Sequence, residues 1–205
     1  MRHGICIDLR YCGGCGGCVM ACKVENGPLA GIYWCNLFTK EIGKYPAVRK
    51  MFLPAACMHC QDAPCVTHCP TGASYHDKDG AVLINLNKCI GCRGCVNACP
   101  YNARHYNFAH AEKNPYYKGQ EMTPFEKVKE HLHPVGKTGK CNMCRDRIED
   151  GKIPACVETC FTKARYFGDL DDPKSEISQV IAMYNAKPLH EELGTKPSVY
   201  YIGDF

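Results

Sequence analysis

The chain has 205 residues, 45% of them hydrophobic, enough to bury an ordinary core without help from disulfides. Its formal charge is +4 with no basic block interleaved with aromatics, which argues against a nucleic-acid partner. No apolar run approaches the about eighteen residues of a membrane span, so no direct span is expected. Eighteen cysteines, by contrast, oblige a choice between a disulfide framework, zinc sites and iron-sulfur clusters, and their spacing must decide it.

In chain order, the N-terminus shows neither an apolar signal region nor a twin-arginine pair, so no export signal of its own is expected. Residues 4–9 place Ile5, Ile7 and Leu9 on one face and predict a half-buried strand. The first cysteine run follows, Cys12, Cys15, Cys18 and Cys22, interleaved with Gly13, Gly14, Gly16 and Gly17. Residues 26–46, punctuated by Gly and Pro and holding the only tryptophan, Trp34, read as loop and short strand. The second run is Cys57, Cys60, Cys65 and Cys69, followed by Pro70; the third is Cys89, Cys92, Cys95 and Cys99, followed by Pro100. Between them, residues 73–76 and 81–84 flank the turn sequence Asp77-Lys78-Asp79-Gly80 and predict a hairpin.

Residues 101–140 contain no cysteine and include Thr123-Pro124-Phe125-Glu126, a capping box with proline in the first turn. A helix is predicted from there to Leu132, stopped by Pro134 and Gly136, in an insertion suited to docking a partner. The fourth run, Cys141, Cys144, Cys156 and Cys160, has a longer central gap and in isolation also matches half of a zinc ribbon. Beyond it, residues 164–167 read as a strand. Asp172 and Pro173 open a helix carrying Ile177, Val180, Ile181 and Tyr184, and residues 198–202 supply one closing strand.

A C-x2-C-x2-C run wraps three cysteines around three corners of one cubane, while the next cysteine, a turn further on, reaches the neighbouring cluster. The run at Cys89 matches this fully, with Pro100 behind it, and two facing runs that exchange fourth ligands make a two-cluster ferredoxin unit. Four runs imply two such units. The interleaved glycines, with Gly91 and Gly94, suit a loop that needs unusual backbone angles and amides aimed at sulfur. Zinc would pair separate C-x2-C units and leaves the recurring third and fourth cysteines unexplained; disulfides fit such crowding worse. Cys6 and Cys35 lie outside every run and read as small buried apolar residues, while His59, His68 and Arg93 lie inside cluster loops and could tune a cluster through hydrogen bonds or charge. A cubane with four thiolates is formally 2−, so four would add about −8 to the formal charge of +4 and leave about −4.

Ile7-Asp8 before Cys12, the four runs, Cys99-Pro100-Tyr101 and the segment from Phe167 to Pro173 together resemble the iron-sulfur subunit of the dimethyl-sulfoxide reductase superfamily, over nearly the whole chain. The resemblance implies a nested ligand order: Cys12, Cys15, Cys18 and Cys160 for cluster a; Cys141, Cys144, Cys156 and Cys22 for cluster b; Cys57, Cys60, Cys65 and Cys99 for cluster c; Cys89, Cys92, Cys95 and Cys69 for cluster d. The implied fold is α+β, two ferredoxin-like [4Fe-4S] halves related by pseudo-twofold symmetry, with short strands, short helices and long loops. Residues 1–56 and 137–172 would form the outer half, 57–106 the inner, 107–136 the docking insertion and 173–205 a C-terminal helix and tail.

The same resemblance implies four [4Fe-4S] clusters and no catalytic site on this chain. It implies a large partner with a molybdenum or tungsten bis-pterin cofactor, a quinone-linked membrane anchor at the far end, and a place on the extracytoplasmic face of the membrane. Lys23 and Phe161 depart from the pattern, standing where Pro70 and Pro100 close the inner runs. The tail from Leu193 to Tyr201 is similar both to arsenate reductase partners and to the pyrogallol-phloroglucinol transhydroxylase small subunit, which keeps open a soluble cytoplasmic complex. A stand-alone polyferredoxin is the alternative of another class.

Overall fold

The computed structural model describes residues 1–109 and 113–205. β1 (His3–Asp8) leads into the first cysteine run, and α1 (Gly17–Asn26) starts inside that run and closes on Gly27, whose N–H returns to the Lys23 carbonyl. β2 (Asn36–Lys44) and β3 (Ala47–Ala55) form a long antiparallel hairpin where loop and short strand were expected. Most of that hairpin is exposed on both faces, so it lacks the apolar alternation that marks a strand in sequence.

α2 (Pro64–Thr67), β4 (Ser74–His76), β5 (Val82–Ile84), α3 (Gly94–Asn97) and β6 (His105–Tyr106) carry the second and third runs, and β4 pairs with β5 across the predicted turn. α4 (Pro124–Lys129) has the full capping box: the Glu126 amide donates to Thr123 Oγ1 at 3.3 Å, and the Thr123 amide donates to Glu126 Oε2 at 2.9 Å. It tightens into a 3-10 turn over Glu130–Leu132, ending where the sequence predicts.

β7 (Thr138–Gly139) pairs with β6 and closes a two-stranded stem beneath the insertion. α5 (Arg145–Glu149), α6 (Ala155–Glu158), β8 (Arg165–Asp169), α7 (Glu176–Tyr184), β9 (Lys187–Pro188) and β10 (Val199–Ile202) complete the chain. α7 begins later than expected. Ser175 is its N-cap, accepting from the Ser178 amide at 3.3 Å, while Asp172 turns its carboxylate to the Lys174 amide in the preceding turn. A hydroxyl that reaches the first turn outcompetes the earlier aspartate.

The main sheet runs β8-β1-β10-β9. β10 lies parallel to β1, from Ile5 opposite Val199 to Asp8 opposite Ile202, so the last strand sits beside the first; β8 lies antiparallel on the other side. Alternation then sorts the side chains. Cys6, Tyr200 and Ile202 pack with Ile177 of α7, whereas Ile5, Ile7, Val199 and Tyr201 join the core that holds Met58, Cys60, Cys65 and Val157. β1 is therefore covered on both faces, and the half-buried strand predicted from Ile5, Ile7 and Leu9 is a central one. Among the described residues no helix is long and apolar enough to cross a membrane.

The insertion rests on residues 25–32. Tyr117 and Met122 pack on Leu29, Asn114 Nδ2 donates to the Ala30 carbonyl at 3.2 Å and Lys129 Nζ to the Glu25 carbonyl at 3.0 Å. Lys23 serves the same region: its ammonium donates to the carbonyls of Pro28, Leu29 and Ile32, and α1 runs on past Cys22 to Asn26. The lysine at the departure from the Cys-Pro pattern lets the helix continue and ties down the loop behind it.

Candidate metal centres

Each run is built the same way. The third cysteine, Cys18, Cys65, Cys95 or Cys156, lies in the first turns of a short helix, and the fourth, Cys22, Cys69, Cys99 or Cys160, follows a turn later. Two residues after the first cysteine the backbone takes a positive φ in every run: 67° at Gly14, 44° at His59, 73° at Gly91 and 60° at Met143. Gly91 has no room for a side chain, since a Cβ there would lie 2.0 Å from the Gly136 carbonyl oxygen. The turn after the fourth cysteine also recurs, with φ of 62° at Gly72, 49° at Asn102 and 55° at Lys163. Phe161 therefore enters the same turn as Pro70 and Pro100.

The sixteen run cysteines gather around four cavities. Cys12, Cys15, Cys18 and Cys160 line one, with Ile7, Pro54 and Arg165. Cys22, Cys141, Cys144 and Cys156 line the next, which Arg165 and Cys57 also border. Cys57, Cys60, Cys65 and Cys99 surround the third, with Val82 and Arg104. Cys69, Cys89, Cys92 and Cys95 surround the fourth, with Ser74 and Arg93. Cavities a and b share Ile7, Pro54 and Arg165, Cys57 borders both b and c, and Arg104 in the wall of c donates to Ser74 in the wall of d, which orders them a, b, c, d. Of the eighteen cysteines only Cys15 and Cys92 are exposed, one at each end of that series.

A cubane fits these cavities better than a single ion. Among the described residues no three His, Cys, Asp or Glu converge closely enough to hold one ion, while each set of four thiols faces a shared space. Backbone amides point at sulfur as a cluster loop requires: Gly17 to Cys15 at 3.3 Å, Ser74 to Cys69 at 3.4 Å and Met143 to Cys141 at 3.4 Å. Burial first, then the neighbouring Cys156 and Cys144, pushes the Cys22 thiol up to about 12, and burial holds Cys141 well above its ordinary value. Thiolates there call for a bound positive centre.

Three buried cations stand among the thiols. Arg104 Nη2 donates to Cys65 Sγ at 3.0 Å and Nη1 to Ser74 Oγ at 2.9 Å, while its Nε has no partner among the described residues. Burial works to lower its pKa, but the Cys65, Cys95 and Cys57 sulfurs outweigh that and raise it. Arg165 behaves alike against Cys156, Cys35 and Cys18. Lys140 Nζ donates to the carbonyls of Val82 and, at 2.7 Å, Cys141.

His59 is buried and kept neutral by burial, with Lys140 and Arg104 adding to the effect; its Nδ1 accepts from the Val82 amide at 3.1 Å, and Nε2 has no partner among the described residues. His68 instead spends Nδ1 on the Pro64 carbonyl at 2.8 Å, and Arg93 lies over the rings of Tyr106 and Phe108. Cys6 is a core residue as expected. Cys35 is buried as expected, and Arg165 Nη2 donates to its Sγ at 3.9 Å. Cys35 and Arg165 together hold the Cys18 thiol below its ordinary value against burial. Sequence reasoning missed Arg104, Arg165 and Lys140. The signal was present: each arginine stands five residues after the last cysteine of its run, and Lys140 immediately precedes Cys141.

A family model described as a 4Fe-4S dicluster domain matches residues 48–114 and again 109–170. The matches divide the chain serially, whereas the cavities a and b draw on both ends of it. The chain is 40% identical to the iron-sulfur subunit of the arsenate respiratory reductase of Shewanella sp. strain ANA-3, over 100% of this chain and 97% of that protein. It is 42% identical to a selenate reductase subunit of Mesobacillus selenatarsenatis, over 96% and 70%, and 34% identical to a tetrathionate reductase subunit of Salmonella typhimurium, over 98% and 72%. The short strands and helices wrapped around cysteine loops are ferredoxin-like in kind. By these matches the chain belongs to the family of 4Fe-4S electron-transfer subunits that includes the iron-sulfur subunits of arsenate, selenate and tetrathionate reductases.

Proposed function

We propose that the chain holds four [4Fe-4S] clusters, with the ligand sets a to d given above, and relays electrons along them between a catalytic subunit and a second redox partner. The observation that carries this is the coincidence of each expected set of four cysteines with one cavity, the cavities following one another in the order a, b, c, d through shared residues and, between c and d, the Arg104–Ser74 hydrogen bond. Cubanes bound there supply one-electron carriers. The chain's own part is to hold the thiols, aim amides and cations at them, and cover all but the ends from water. Cys15, with Tyr11 and Phe161 exposed nearby, opens one end; Cys92, with exposed Ile90 and Phe108, opens the other.

Residues 57–106 then form the inner ferredoxin-like half and residues 1–56 with 137–172 the outer, related by a pseudo-twofold axis; the recurring turn at Gly72, Asn102 and Lys163 supports that relation. A large molybdenum or tungsten bis-pterin subunit is the catalytic partner and a quinone-linked membrane subunit the other, on the extracytoplasmic face of the membrane. The insertion 107–136 docks a partner through its outward Tyr116, Phe125 and Val128.

Iron analysis tests the reading directly: the complex should hold about sixteen iron atoms on this chain, with visible absorbance bleached by dithionite. Cys12→Ser should lose or convert cluster a alone, seen as a drop in iron and the loss of one low-temperature EPR signal. Unchanged iron and EPR would sink the assignment, and zinc in place of iron would sink the reading. A stable, active monomer would favour a stand-alone polyferredoxin, and the large subunit that copurifies separates a respiratory complex from a transhydroxylase-like one.

A further inference from the structure

Burying a charge without a partner is costly, so buried cations are ordinarily paired with carboxylates. Here Arg104, Lys140 and Arg165 are 4%, 3% and 8% exposed and are the buried lysines and arginines among the described residues. Among the described residues none of the three has an ion pair or hydrogen bond with a carboxylate: their bonds go to sulfur, hydroxyl and carbonyl groups. The ion pairs of this chain lie elsewhere, as with Arg145 on Asp77 and Asp79 or Arg147 on Glu25. What the three cations do meet are the walls of the cysteine cavities.

Their placement is regular. Arg165 borders both cavity a and cavity b. Lys140 Nζ is shared between the carbonyl of Cys141, in the wall of b, and that of Val82, in the wall of c. Arg104 reaches Cys65 of c with one nitrogen and, with another, Ser74, which borders d and whose amide donates to Cys69 of d. Three gaps separate four cavities in series, and each gap holds one cation.

We propose that Arg165, Lys140 and Arg104 form a ladder of fixed positive charges, one per gap, that sets the reduction potentials of the clusters on either side and screens each cluster from its neighbour. The inference rests on the four-cluster reading above. An electron added to a cluster adds a negative charge, and in a buried setting a fixed cation a few ångströms away favours that charged form. Standing between two clusters, the same cation favours reduction of both and offsets the repulsion that an electron on one exerts on an electron arriving at the next. The clusters, formally 2− each, are in turn the counterions that the three buried side chains otherwise lack.

The test uses the purified complex. Iron per chain is counted, and every cluster's midpoint potential is read by EPR-monitored redox titration, with signals assigned through Cys→Ser variants of each set. Charge-removing variants Arg165→Gln, Lys140→Gln and Arg104→Gln are compared with charge-keeping variants Arg165→Lys, Lys140→Arg and Arg104→Lys. Each charge removal should lower the potentials of its two flanking clusters and leave the other two in place: a and b for Arg165, b and c for Lys140, c and d for Arg104. The charge-keeping variants should stay near the wild type.

Should a glutamine variant fail to load iron, restored iron and potentials in its charge-keeping partner would support the ladder, and failure of both would overturn it as a packing role. Potentials that ignore charge removal in fully loaded protein, or that fall at all four clusters together, would also overturn it. A wild-type chain with fewer than four clusters would instead fail the underlying reading, so the two failures are told apart by iron count.

Discussion

Asp79, in the turn between β4 and β5, draws three elements together. Arg145 at the start of α5 donates to its Oδ2, and His3 of β1 lies 2.9 Å from the same oxygen. Burial would raise its pKa, but the hydrogen bond and charge of Arg145, aided by His3, win and hold it below the usual carboxylate value. A depressed folded pKa means stability that is complete above the unfolded value of about 3.9 and is lost as pH falls through the lower folded value. Asp79→Asn should therefore cost about 1–3 kcal/mol at neutral pH. Its acid denaturation curve should be flatter than the wild type's below about pH 4, and equal curves from thermal melts across that range would refute the pairing. At this scale the cysteines were legible because cluster spacing is rigid. The glycines were only half the story: the left-handed angle they permit recurs at His59 and Met143, where tertiary packing holds an ordinary side chain in the same conformation. Cys35 was legible as a buried residue, but its hydrogen bond from Arg165 was not, since the two are distant in sequence and meet only in the fold.

The two faces of the main sheet serve different ends. α7 seals one face through Ile177, which is fully buried against Cys6 and Ile202, while the opposite face walls the cavities. Ile177→Ala should cost about 2–5 kcal/mol in thermal or chaotrope unfolding. It should leave iron content and EPR signals unchanged at low temperature, whereas loss of a cluster would mean that α7 supports the cavities directly. The helices and the hairpin at residues 73–84 were legible from turn chemistry and capping, because those signals are local. The β2–β3 hairpin was not, being exposed on both faces, and the start of α7 slipped because Asp172 and Ser175 both offer a cap within a few residues.

On the scale of the whole molecule the core is inseparable from the cavities. Ile5, Ile7, Val199 and Tyr201 face cysteines rather than a solid apolar interior, and the three buried cations need an anion nearby. Stripping the iron with a chelator should therefore abolish a cooperative melting transition and most near-ultraviolet circular dichroism, and retention of both would show a core that stands without clusters. The nested pairing of runs came from family likeness, since four similar runs allow several pairings. The tail, whose likeness pointed two ways, buttresses the wall of the third cavity from behind: Ser198 donates its amide to the Met58 carbonyl, and Thr195 Oγ1 lies 2.7 Å from Tyr101 Oη.

The placing of the last strand beside the first bears on how the protein is made. Residues 57–99 supply all the cysteines of cavities c and d, so those eight thiols leave the ribosome together, ahead of wall residues such as Arg104 and Thr138. Cavities a and b must wait, because they need cysteines from residues 12–22 and 141–160, and b also a wall from β10. Synthesis thus brings out the thiols of c and d as one set, while Cys12, Cys15, Cys18 and Cys22 emerge more than a hundred residues before their partners at 141–160.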